Sequence, residues 1–127
     1  FKDAWALLDK KIRTVNFIGT EEEARAMERA FPTLQLRMFS VNYGADIIEK
    51  GISKAEGLKK LCAYYGLEMR DVYAFGDSFN DSEMLEEAGV GIAMGNAKEE
   101  LKAIADYVTS PIDEDGIWNA CKHFQLV

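Results

Sequence analysis

The sequence predicts an α/β protein in two parts: a small α+β unit over residues 1–49, then part of a doubly wound parallel sheet with flanking helices over residues 50–127. Three observations carry this expectation. From Gly51 onward, short apolar runs alternate with helical stretches, the pattern of parallel strands joined by right-handed crossovers. Within that part, Val72-Tyr73-Ala74-Phe75 is almost wholly apolar, as suits a strand buried on both faces. Before Gly51, the strand-like runs mix apolar with polar residues, as suits a sheet with one wet face.

Taken in order, residues 1–9 read as a helix with Ala4, Trp5, Leu7 and Leu8 near one face. The chain opens on Phe1 without Met, cap or flexible leader, which predicts a portion of a longer protein. Arg13 to Ile18 reads as a strand ended by Gly19. Thr20 and Glu23 have capping-box spacing, so a helix should run through Phe31 with Ala24, Met27 and Ala30 or Phe31 inward, and Pro32 stops it. Leu34 to Val41 and Ala45 to Glu49 read as further strands. Ser53 and Glu56 form a second box, opening a helix over Lys54–Tyr65. After the strand Val72–Phe75, Asn80 and Glu83 form a third box, opening a helix over Asp81–Ala88 with Met84, Leu85 and Ala88 inward. A strand at Val90–Met94, a helix at Lys98–Ala105, a strand at Tyr107–Thr109 and a helix at Gly116–His123 capped by Asp115 complete the pattern. The tryptophans and phenylalanines fall at helical or strand spacing and are expected in the core.

At 127 residues and 48% hydrophobic, the chain suits about one domain's worth of core. A net charge of −7 argues against a general nucleic-acid or anionic-membrane surface, since both need a basic face. It leaves room for a small anionic substrate held by local cations. No apolar run approaches the roughly 20 residues of a transmembrane helix. The two cysteines, Cys62 and Cys121, lie in apolar helical patterns and are expected to be reduced, which predicts a cytoplasmic protein.

The chemistry is expected where the strand Val72–Phe75 ends. Gly76 lets the backbone turn, and Asp77 then stands at the carboxyl edge of the sheet, where ligands bind in open α/β folds. Asp77 and Asp81, close together, repel unless a proton or cation neutralises them. With only oxygen donors, that cation would be hard, such as Mg²⁺. An acidic helix cap without metal accounts for the same residues. Lys54 opens the helix that leads into this strand. Its ammonium and the free N–H groups there would converge on an anion, although from this residue alone a lysine pointing to solvent is the simpler reading, exposed lysines being the rule. Together, Lys54, Asp77 and Asp81 describe a phosphate site in which ammonium and metal share the charge of a phosphoryl group.

These residues carry a family resemblance. Gly51-Ile52-Ser53-Lys54, then Phe75-Gly76-Asp77-Ser78-Phe79-Asn80-Asp81-Ser82-Glu83-Met84-Leu85, then Ala88 to Ala97 and Ala105 to Thr109, resemble the haloacid dehalogenase-like phosphohydrolases, in their Cof-type sugar-phosphatase branch. The resemblance covers most of residues 50–127 and implies the C-terminal half of a Rossmann-like core. Residues 1–49 resemble the trailing part of that branch's α/β cap domain. Lys54 is similar to the lysine that holds the phosphate and the phosphorylated aspartate. Asp77 resembles the Mg²⁺-binding aspartate. Asn80 resembles the residue that contacts the phosphate or completes the metal shell. Asp81 resembles the second acid, which orients the lysine or a metal-bound water. The implied substrate is a small phosphorylated metabolite such as a sugar phosphate.

One departure matters. The family's first strand ends in D-x-D, whose first aspartate is the nucleophile, and no such pair precedes Lys54. Asp113-Glu114-Asp115 has the spacing but the wrong order. The expectation is therefore a C-terminal portion of a phosphatase, whose missing N-terminal half would complete the core. A non-catalytic metal- or phosphate-binding module, or half of a split protein, is the alternative; a phosphomutase would use the same acids. Gly89, Gly91 and Gly95 read as tight turns about a strand, not as a dinucleotide fingerprint. His123, the single histidine, reads as a partly exposed helix-end residue.

Overall fold

In the computed structural model, residues 15–38 and 44–127 are described. The expected first helix, the start of the first strand and the end of the second lie outside them. The chain divides into two compact units, Phe1–Lys50 and Gly51–Val127.

The first unit holds strand β1 (Val15–Ile18), helix α1 (Glu21–Ala30), and strands β2 (Leu34–Met38) and β3 (Gly44–Glu49). The strands pair antiparallel in the order β1-β3-β2, with Phe17 opposite Ala45 and Leu36 opposite Ile47. Helix α1 begins where its sequence says. Glu23 N–H donates to Thr20 Oγ1 at 3.3 Å, and Thr20 N–H donates to a Glu23 carboxylate oxygen at 2.8 Å. The Thr20 backbone N–H, and then its hydroxyl, which donates to the same carboxylate oxygen at 3.0 Å, hold the Glu23 carboxyl below its ordinary value. The helix buries Ala24 against Leu36 and Ala45, with Phe17, Met27 and Ile47 packed around them.

The second unit alternates helix and strand: α2 (Lys54–Tyr65), β4 (Tyr73–Gly76), α3 (Ser82–Glu87), β5 (Val90–Ala93), α4 (Glu99–Lys102), β6 (Tyr107–Val108) and α5 (Gly116–His123). The strands are parallel in the order β4-β5-β6. The strand buried on both faces is β5, not β4: Ile92 and Ala93 are fully enclosed, while Tyr73 of β4 is 38% exposed. Among the described strands β4 is an edge, and the Tyr73 ring packs on Phe124 with centroids 5.2 Å apart. Glycines let this layer close. A Cβ on Gly91 would stand 2.3 Å from the Leu85 carbonyl oxygen, and one on Gly89 2.0 Å from that of Arg70.

The core of this unit is Ala74, Leu85, Ala93, Ala97 and Leu101. Leu85 is 1% exposed. Leu85→Ala should lower unfolding free energy by about 2–5 kcal/mol, the range for a leucine removed from a packed core. The midpoint of a urea titration measures it.

Three further expectations do not hold in the structure. The helix expected over Lys98–Ala105 is only one turn, because the chain must swing back for Asp106. That residue's N–H reaches Gly91 O at 2.9 Å, and its carboxylate accepts Gly91 N–H at 2.8 Å. Asp115 precedes α5, but in the left-handed region (φ 56°) and without a side-chain cap; its backbone carbonyl accepts Asn119 N–H instead. Trp118, Phe31 and Phe79 are half or more exposed, so aromatic spacing does not by itself mean core. Trp118 lies on the outer side of α5 with the Lys122 ammonium 5.1 Å from its ring. His123 is the exposed last residue of α5, stacked on Tyr107.

Candidate active site

The site is assembled at the carboxyl end of β4. Gly76 ends the strand and has to be glycine for steric reasons: a Cβ there would meet the Asp81 Cβ at 2.6 Å and Leu85 at 2.7 Å. Its carbonyl is held by Met94 N–H at 2.9 Å, which ties the end of β4 to the end of β5. The chain then turns through Asp77 and Ser78 into a short 3₁₀ turn, Phe79–Asp81, before α3 begins at Ser82.

The acid that organises this turn is Asp81. The spacing of Asn80 and Glu83 had suggested a box starting there, yet the helix begins later and the closing acceptor is one residue on. Asp81 Oδ2 accepts N–H from Asp77 at 3.1 Å and from Ser78 at 3.2 Å. Its other oxygen, Oδ1, pairs with the Lys54 ammonium. Asp81 is 3% exposed, so its charge is satisfied internally by one cation and two amides.

Lys54 is the first residue of α2, behind Ser53, whose hydroxyl oxygen accepts Glu56 N–H at 3.1 Å. The reciprocal half of that capping box is not what Glu56 does, since its carboxylate pairs with Lys59 at 2.8 Å. Lys59 also reaches Glu87 at 2.6 Å, linking α2 to α3. The two helices that carry Lys54 and follow Asp81 are therefore braced side by side. Lys54 and Asp81, 27 positions apart in sequence, meet.

A cavity of about 310 Å³ opens on this rim, and Lys54, Asp77 and Asp81 all line it. Asp77 is exposed there, and its side chain is not used by the turn, which employs only its backbone N–H. Asn80 does not line the cavity, but its Oδ1 is buried without a hydrogen-bond partner. Asp115 lines a second hollow, with Trp118 and Cys121, and not the first. Among the described residues, no group of three or more His, Cys, Asp or Glu side chains is arranged to hold a metal.

The sequence points to no chemistry at the rest of the cavity lining: Phe75 and Met84, with Met94 and Asn96 after β5, Ile112 from the segment leading into α5, and Ile117 in the first turn of α5. Asn96 was the findable one. It follows a parallel strand at its carboxyl end, the same rule that singles out Asp77.

The sequence profile of the haloacid dehalogenase-like hydrolases matches residues 2–121. The chain belongs to that family. Within it, YkrA of Bacillus subtilis is 47% identical over 118 residues, 93% of this chain and 45% of YkrA. The structure of BT1666, from an analysis of phosphatases of this superfamily in Bacteroides thetaiotaomicron, superposes with a TM-score of 0.91 at 33% identity, over 98% of this chain and 47% of BT1666. That of BT4131, described as a subclass IIB sugar phosphatase, gives 0.82 at 39% identity over 94% of this chain and 45% of its own. The chain thus spans about half the length of these haloacid dehalogenase-like relatives.

Proposed function

We propose that these 127 residues are the lysine- and metal-bearing portion of a Mg²⁺-dependent phosphohydrolase for small phosphorylated metabolites, sugar phosphates among them. The observation that carries the reading is the buried Asp81 carboxylate joining the Lys54 ammonium to the turn that presents Asp77. Residues 1–49 would be the end of a cap domain and residues 50–127 the C-terminal half of the core. The nucleophilic aspartate would come from a segment outside this sequence and pass through an aspartyl-phosphate that water hydrolyses.

The donor set fits a hard cation. Asp77 offers an uncommitted carboxylate and Asn80 an unpartnered amide oxygen, and Mg²⁺ takes one or two such groups with waters and substrate phosphate. Such an ion would supply Lewis-acid stabilisation of the phosphoryl oxygens. Asp81 has both oxygens engaged, so of its two possible roles the geometry favours orienting Lys54 over direct metal ligation. Lys54 would place its positive charge on the phosphate, beside the N–H groups that open α2. Cys62 and Cys121 are free thiols, in keeping with a cytoplasmic setting, and among the described residues no helix is long and apolar enough to cross a membrane.

If the nucleophile lies elsewhere, the purified 127-residue chain should hydrolyse no p-nitrophenyl phosphate with Mg²⁺. A longer version beginning upstream with a strand ending in D-x-D should do so. Turnover by the short chain, above a mock preparation, would overthrow the assignment of the missing nucleophile. An inactive longer version would leave the non-catalytic binding module as the better reading.

A further inference from the structure

Asn96 stands in the turn after β5 and lines the cavity with Lys54 and Asp77. Its Oδ1 accepts the backbone N–H of Ile112 at 3.0 Å, sixteen residues away in the segment between β6 and α5. We propose that Asn96 is a positioning residue: it fastens this segment to the β5 rim and so sets where Ile112, one wall of the cavity, stands. The inference rests on reading that cavity as a phosphate-ester site.

Burial does little to hold Ile112. Ile112 is 62% exposed and Ile117 47%, so burial does not fix either. The segment is internally braced, with Gly116 N–H on Pro111 O at 3.1 Å and Thr109 Oγ1 on Gly116 O at 2.7 Å. These bonds tie its two ends to each other. Two backbone bonds anchor its entry to β5 and the following turn, Thr109 N–H to Ala93 O at 3.0 Å and Gly95 N–H to Ser110 O at 3.1 Å. Gly95 lets the two backbones approach, since a Cβ there would lie 2.5 Å from Pro111 N. Beyond Pro111, the Asn96 amide reaches across to the residue that forms the wall. Asn96 is itself exposed, so shortening it removes the fastening without opening the core.

The test uses the longer protein. Amide exchange at Ile112 should quicken about tenfold in Asn96→Ala, as expected when a local tether is cut, and stay near wild type in Asn96→Asp, which keeps an acceptor. With p-nitrophenyl phosphate, Asn96→Ala should raise KM about three- to tenfold and change kcat much less. In an Ile112→Ala background the same substitution should add nothing further, because its effect runs through Ile112. An unchanged Ile112 exchange rate, or an equal KM rise in both backgrounds, would overturn the proposal. A wild-type enzyme without turnover would instead count against the phosphatase reading, while the exchange rates would still decide whether Asn96 fastens the segment.

Discussion

Asp77→Asn in the longer protein should lower Mg²⁺-dependent kcat by about 10³-fold or more, with the fold unchanged. The two halves of this expectation have separate causes. The turn uses only the backbone N–H of Asp77, which an asparagine keeps, and the side chain is exposed on the rim of the cavity. An exposed, isosteric change of this kind costs within about 0.5 kcal/mol of stability. The charge is another matter. A hard cation held by one protein carboxylate loses its main anionic ligand, and with it several kcal/mol of transition-state stabilisation. The concentration of Mg²⁺ needed for half-maximal activity should rise at the same time. Steady-state rates across a Mg²⁺ titration, beside a thermal melt, measure both. Normal turnover at ordinary Mg²⁺ would remove Asp77 from the metal site. A large loss of melting temperature would show the carboxylate to be structural.

The placement of the candidate site residues was legible in the sequence because they obey local rules. Gly76 and Asp77 follow a short apolar run, and Lys54 follows a serine at capping spacing from Glu56, so each lands at the predicted end of its element. What joins them was less legible. The spacing of Asn80 and Glu83 pointed to a helix start, whereas the structure closes the turn through Asp81, buried because Gly76 leaves room for it. That room depends on a contact between residues five apart that no periodicity reports. The exchange of roles between β4 and β5 has the same origin. Apolar content is similar in both runs, and only the strand order makes β5 central. Asn96 bonds to a residue on another connection, and Asp106 shortens a helix by pairing with Gly91; both are tertiary choices overriding local propensity.

Asp81 is where fold and chemistry share one side chain, and two substitutions separate them. Asp81→Ala strips the acceptor from the Asp77 and Ser78 N–H groups at a position 3% exposed, and leaves Lys54 without its partner. Unpaired amides in such a place cost about 1–3 kcal/mol, and the ion pair adds little to that because the Lys54 side chain is half exposed. Asp81→Asn keeps a carbonyl oxygen for the two amides but turns an NH₂ toward the Lys54 ammonium. It should retain most of the stability while still losing about 10²–10³-fold in kcat/KM, since the lysine would no longer be held at the proposed phosphate position. Urea unfolding and kcat/KM for p-nitrophenyl phosphate, measured on both variants of the longer protein, give the comparison. If Asp81→Ala unfolded at the wild-type midpoint, the carboxylate would not be what holds the turn. If Asp81→Asn were fully active, the lysine would need no orienting charge, and the link between Lys54 and Asp77 would be one of proximity alone.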